Sequence, residues 1–177
     1  MRRLLLAACS LVAAPALAAL PIGARAPDFT TQGAAAGVER TIHLSEELRR
    51  GPVVLYFFPA AFTGGCNAEA HAFAEAVDDF RAAGATVIGM SADDVPTLQR
   101  FSQEKCAGRF TVASADPATI RAYDVALGRQ VQGRSVSGRT SYVIGRDGRI
   151  AFVHDDLNPA EHVATTLAAV RSLRTRR

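Results

Sequence analysis

The chain has 177 residues, which at roughly 100–200 residues per domain allows one globular unit with an appendage. With 49% apolar and 21% charged residues and no tryptophan, the composition is that of a packed domain rather than a disordered or collagen-like chain. Twenty Lys and Arg against seventeen Asp and Glu give a formal charge of +3; Arg2 and Arg3 carry two of these charges, and Arg171, Arg174, Arg176 and Arg177 crowd the C-terminus. The body is therefore near neutral and lacks the basic surface that nucleic-acid binding requires.

Arg2 and Arg3 precede a stretch from Leu4 to Ala24 without a charge, which contains Ala16-Leu17-Ala18. A basic start, an apolar run and small residues at a cleavage site form a secretory signal. Residues 1–18 are thus expected to be removed, leaving a domain over 19–177, exported to the periplasm and without stable membrane association. Two alternatives are a retained anchor, against which Pro15 and the small-residue site argue, and lipidation at Cys9, whose Leu6-Ala7-Ala8-Cys9 context is not followed by the end of the apolar run. Export leaves Cys66 and Cys106 in a compartment where disulfides persist. No CxxC spacing supports a zinc site or a paired redox motif, so neither a metal nor a cofactor is expected.

After the leader, Gly23 to Gly51 reads as an edge hairpin or arm. Pro52 then opens the run Val53 to Phe58, closed by Pro59. Continuous rather than alternating apolarity predicts a strand covered on both faces. From Cys66 to Ala83, Ala70, Phe73, Ala74, Val77 and Phe80 fall at helical spacing, with Glu69, Glu75, Asp78, Asp79 and Arg81 assigned to a polar face. A strand over Thr86–Met90 completes a parallel strand–helix–strand unit. A helix near Val95 to Cys106, a strand at Phe110–Ala113 and a short helix from Pro117 to Tyr123 follow. A polar loop over Gly128–Gly138 leads to a hairpin of Ser141–Ile144 and Ile150–Val153 around Asp147-Gly148, and Pro159 to Leu173 forms the last helix. This order predicts an α/β domain with a mixed central sheet flanked by helices.

Ligands of such sheets sit beyond the carboxyl ends of the strands, and the loop after Phe58 is such a place. Cys66 falls in the first turn of the following helix, where open N–H groups and the macrodipole stabilise a thiolate. It shares the stripe of Ala70, Phe73, Val77 and Phe80, so its sulfur should face a pocket. Gly64 and Gly65 let the backbone approach a small ligand. A buried inert cysteine is the bland alternative; it needs no preceding Pro, Thr and double Gly.

Pro59-Ala60-Ala61-Phe62-Thr63-Gly64-Gly65-Cys66 resembles the PxxxTxxC motif of the peroxiredoxins, and Cys66-Asn67-Ala68-Glu69-Ala70 is similar to the continuation found in the bacterioferritin comigratory protein/peroxiredoxin Q subfamily. The likeness extends to Ala26-Pro27-Asp28-Phe29, Tyr56-Phe57-Phe58-Pro59, Ser91-Ala92-Asp93 and Arg139-Thr140-Ser141-Tyr142-Val143-Ile144. It implies a thioredoxin-like fold and a thiol peroxidase, acting on hydrogen peroxide and organic hydroperoxides through a sulfenic acid on Cys66 and recycled by a thioredoxin-like or other dithiol. By the same resemblance Arg139 stands beside the sulfur, Thr63 and the Gly65 and Cys66 N–H groups orient the peroxide, Pro59 restricts water, and the protein is monomeric. Many members carry a resolving cysteine five positions after the first, where this chain has His71, read as solvated. Cys106 is then the candidate resolving cysteine, with a one-cysteine enzyme or a structural disulfide as the alternatives. A thiol–disulfide oxidoreductase and a non-catalytic binding module on the same fold are the competing functions.

Overall fold

The computed structural model describes residues 19–131 and 133–175; residues 1–18, expected to be a cleaved signal and including Cys9, lie outside the described residues. The elements are β1 (Thr30–Ala35), β2 (Val38–His43), α1 (Leu44–Arg50), β3 (Val53–Phe57), α2 (Gly64–Ala82), β4 (Thr86–Ser91), α3 (Val95–Glu104), β5 (Thr111–Ser114), α4 (Pro117–Ala122), β6 (Ala126–Val131), β7 (Arg134–Ser137), β8 (Thr140–Ile144), β9 (Ile150–Asp155), a 3-10 turn at Pro159–Glu161 and α5 (His162–Thr175). Seven strands form one mixed sheet in the order β2-β1-β5-β4-β3-β8-β9. The β3, β4 and β5 strands run parallel, and the rest pair antiparallel. No helix among the described residues is long and apolar enough to cross a membrane.

The continuous apolar run of β3 has the cause that its composition implies. Val54, Tyr56 and Phe58 enter one core under α2, α3 and α5, whereas Val53, Leu55 and Phe57 enter a second core on the opposite face. All six are fully buried. A strand with helices on both faces has no solvated side to encode, so alternation disappears from its sequence. Leu98 and Phe101 of α3 and Leu167 and Val170 of α5 seal the first core; Leu44 and Leu48 of α1 and Ile120 of α4 seal the second.

Two elements depart from the sequence reading. The Gly23–Gly51 arm contains the expected edge hairpin, and after it the helix α1, whose seven residues are too few to display a 3.6-residue period. Residues read as the Gly128–Gly138 loop instead carry most of a two-stranded β6–β7 hairpin separate from the main sheet. Its strands are exposed along most of their length, so no apolar face marks them as strands.

Packing is close where β4 passes β3. Tyr56 stacks on Phe73 with centroids 4.3 Å apart, and its buried hydroxyl has no hydrogen-bond partner, so contact alone holds the ring. A Cβ on Gly89 would lie 2.7 Å from Tyr56 Cζ. Gly89→Ala should therefore cost about 1–3 kcal/mol of stability through overpacking, read as a shifted urea midpoint. An unchanged midpoint would mean that the Tyr56 ring can slide.

Candidate active site

Register places the site. Phe57 at the end of β3 pairs with Thr140 at the start of β8, so Arg139 is held opposite the point where the chain leaves the sheet toward Cys66. The intervening loop is tied by the Thr63 hydroxyl, which donates to Ala60 O at 3.0 Å, and it contains Phe62 in the left-handed region at φ 63°. A bulky residue is seldom found there, and such backbone strain gathers at functional sites. The Phe62 ring is braced edge-on by Phe101, centroids 5.4 Å apart.

Helix α2 begins differently from α3 and α4. Asp94 and Asp116 cap those helices by accepting from Thr97 N and Thr119 N. Thr63 occupies the cap position of α2 without a side-chain bond to the helix. The first-turn N–H groups, including those of Gly65 and Cys66, therefore remain available to a ligand.

Cys66 is buried in the first core, as its helical stripe indicates. Arg139 is buried too, and its guanidinium makes three contacts. Nη2 donates to Cys66 Sγ at 3.5 Å, Nε donates to Leu157 O at 2.9 Å, and Nη1 pairs with Glu69 Oε2. A Cβ at Gly65 would stand 3.1 Å from Nη2, so the glycine makes room for the cation. Pro59 is half-buried and Thr63 exposed at the loop surface.

Glu69 corrects the sequence reading, which assigned it to the solvated face of α2. It is 1% exposed. Its spacing, three after Cys66 and four before Phe73, puts it on the inner stripe, and this was the available signal. Its Oε1 has no hydrogen-bond partner and lies 3.7 Å from His162 Nδ1. His162, which the sequence reading did not single out, donates from Nε2 to Asp156 O and accepts the Ser141 hydroxyl at Nδ1, both at 2.8 Å. Its neighbour Ser141 belongs to β8 and is also buried.

Burial pushes the Glu69 carboxyl up to about 7, against the pull of Arg139. Burial likewise presses His162 down to about 4. Arg139 is itself held above its ordinary value: desolvation acts downward, but Glu69 and Cys66 outweigh it. One permanent cation is thus shared between two groups that can be anionic.

Cys106 stands two residues past the end of α3, buried in the same core as Cys66. Burial pushes its thiol up to about 12. Both cysteines are free thiols. The turn after Cys106 holds Ala107 and Gly108 at φ 49° and 67°. His71 is exposed and faces Glu75 at 3.4 Å, as expected of a solvated helix residue.

The opposed shifts give a test of the burial of this cluster. Between pH 4.5 and 7 the folded chain keeps a Glu69 proton that the unfolded chain has lost, so stability falls as pH rises through that window. For His162 the unfolded chain takes up a proton between pH 6.5 and 4 that the folded chain refuses, so its contribution is lost as pH falls. Relative to Glu69→Gln, wild-type stability should drop on the order of 3 kcal/mol from pH 4.5 to 7. Relative to His162→Gln, it should rise from pH 4 to 6.5. Urea unfolding across pH measures both differences, and flat differences would contradict the assignment.

The AhpC/TSA family model matches residues 22–153. The chain is similar to the chloroplastic peroxiredoxin Q of Oryza sativa subsp. japonica, 33% identical over 152 residues that make up 85% of this chain and 67% of that protein. It is also similar to peroxiredoxin Bcp of Escherichia coli strain K12, 30% identical over 112 residues covering 62% of this chain and 72% of that one. Among solved structures it resembles peroxidoxin BcpB from Mycobacterium tuberculosis, with a TM-score of 0.76 and 29% identity over 86% of this chain and 97% of the other. The mixed sheet, the helices on both faces and the Cys66 loop are accordingly the thioredoxin-like peroxiredoxin fold, and the chain belongs to the AhpC/TSA family as a peroxiredoxin.

Proposed function

We propose that the protein reduces hydrogen peroxide and organic hydroperoxides with Cys66 as the nucleophile. The observation that carries this reading is the approach of Arg139 Nη2 to Cys66 Sγ, 3.5 Å, at a helix N-terminus left uncapped. Arg139 and the open N–H groups stabilise the negative charge that spreads from the sulfur onto the peroxide oxygens as the O–O bond breaks. The Thr63 hydroxyl donates to Ala60 O, so its lone pairs are free to accept the peroxide O–H and orient it. The thiolate then attacks one peroxide oxygen. An S–O bond forms as the O–O bond breaks, and the leaving oxygen takes a proton and departs as water or alcohol. Cys66 is left as a sulfenic acid, the first reversible rung of its oxidation ladder. Pro59, half-buried at the head of the loop, limits water.

Recycling requires two electrons from thiols. In the route proposed here, Cys106 attacks the Cys66 sulfenic sulfur, an S–S bond forms and water leaves. A thioredoxin-like dithiol then reduces the disulfide and is itself oxidised. The buried Cys106 thiol must first loosen from its core, because exposure brings its ionisation back toward the ordinary range. The left-handed Ala107-Gly108 turn is the point at which this segment can open. Removal of residues 1–18 and a periplasmic location are part of the same proposal, as is a monomeric state.

Mass spectrometry of protein recovered from cells expressing the full chain tests these steps. The N-terminus should lie near Ala19; an intact Met1 or a lipid on Cys9 would overturn export by signal cleavage. After one equivalent of peroxide, the wild type should show Cys66 and Cys106 peptides linked. Cys106→Ser should accumulate sulfenic and then sulfinic acid on Cys66, and Cys66→Ser should consume no peroxide. Wild-type turnover by Cys66→Ser would end the catalytic assignment. A free Cys106 in oxidised protein that recycles equally well without it would make this a one-cysteine peroxidase.

A further inference from the structure

Ser91 ends β4 and Ala92-Asp93 follow it, with Asp93 4% exposed. Its carboxylate gathers groups from separate parts of the chain. Asp93 Oδ2 accepts the Ala61 N–H at 2.7 Å and the Ser91 hydroxyl at 2.8 Å. Asp93 Oδ1 accepts from Arg134 Nη2 at 2.9 Å, and Arg134 Nη1 donates to Ala92 O at 3.3 Å.

The places joined in this way matter more than the number of bonds. Ala61 lies in the loop that carries Pro59, Thr63 and Cys66, one residue before the left-handed Phe62. Arg134 lies in β7, which continues through Gly138 to Arg139. The β6–β7 hairpin pairs with no strand of the main sheet. It is tied to the loop side by Arg134 and by the Ser137 hydroxyl, which donates to Phe58 O at 3.0 Å. A buried carboxylate is favourable only when charge-assisted bonds replace its water; here, besides the Ser91 hydroxyl, they come from the two segments that carry the reacting groups.

We infer that Asp93 is a positioning residue for the peroxidase reaction: with Arg134 it sets the Cys66 loop against the arm leading to Arg139. This inference rests on the peroxidase reading and extends it to residues that touch neither the sulfur nor the peroxide. Asn at position 93 keeps one acceptor for Ala61 or Ser91 but places an amide or a neutral oxygen against Arg134. The loop then loses its charged anchor while the cation of Arg139 keeps its own three contacts.

The test is a pair of rates at Cys66 in the full-length protein: stopped-flow oxidation by hydrogen peroxide, and alkylation by iodoacetamide followed by peptide mass spectrometry. Peroxide attack needs aligned groups on both sides of the sulfur, and displacement of ~1 Å can cost ~100-fold. Alkylation needs the thiolate alone. Asp93→Asn should slow peroxide oxidation about ten- to a hundredfold with alkylation nearly unchanged. Arg134→Gln should slow it less, Arg134→Lys should restore it, and the Asp93→Asn/Arg134→Gln double variant should be no slower than Asp93→Asn alone. Arg134 is 42% exposed, so its variants decide the matter should Asp93→Asn not fold. Wild-type peroxide rates in the variants would overturn the proposal. So would a parallel loss of both rates together with a lowered unfolding midpoint, since Asp93 would then serve the fold alone. A wild type inert to peroxide while still alkylated at Cys66 would instead remove the peroxidase reading, and the positioning role with it.

Discussion

The site depends on one buried guanidinium. Arg139 bonds to Cys66, Glu69 and the Leu157 carbonyl, and a cation in so enclosed a place needs such partners because removing one leaves a charge without compensation. The planar fork explains why arginine suits this position, since three separate acceptors are met at fixed angles. Glu69 is a restrained partner. Burial pushes its carboxyl up to about 7 against the pull of Arg139, so it neutralises Arg139 only where it is ionised. Where it holds its proton, the Cys66 sulfur and the Leu157 carbonyl remain as the other partners of the guanidinium.

The fold brings these groups together by strand register and by what it omits. Pairing of β3 with β8 puts Arg139 beside the end of the strand that leads to Cys66. The missing side-chain cap on α2 leaves donors open that aspartate caps close on α3 and α4. The strained Phe62 backbone persists because Phe101 and the Thr63–Ala60 bond brace its surroundings. Strain and open donors in one loop, with a buried charge set against it, are features that packing alone would remove, and their concurrence marks the region as functional.

Much of this was legible in the sequence, for identifiable reasons. The β3 run declared a strand covered on both faces, and the apolar stripe of α2 placed Cys66 inward; both are bulk burial signals repeated over many residues. The short α1 and the exposed β6–β7 hairpin were not legible as elements, because neither carries a complete apolar period. Single polar residues were hardest. Glu69 was read as solvated although its spacing placed it on the buried stripe, and Arg134, which meets Asp93, and Ser141, which meets His162, lie far away in the chain, where sequence spacing carries no information. Arg139 was singled out only through the resemblance to the peroxiredoxins, since nothing in its local context distinguishes it from the other arginines.

The most direct measurement is the rate of the first peroxide turnover by Arg139→Lys, taken alongside its unfolding midpoint. Lysine keeps the charge but cannot reach sulfur, carboxylate and carbonyl together. A slowing of about ten- to a hundredfold with the midpoint largely retained is expected if the fork geometry organises the reaction. Oxidation of Cys66 at the wild-type rate in that variant would contradict it.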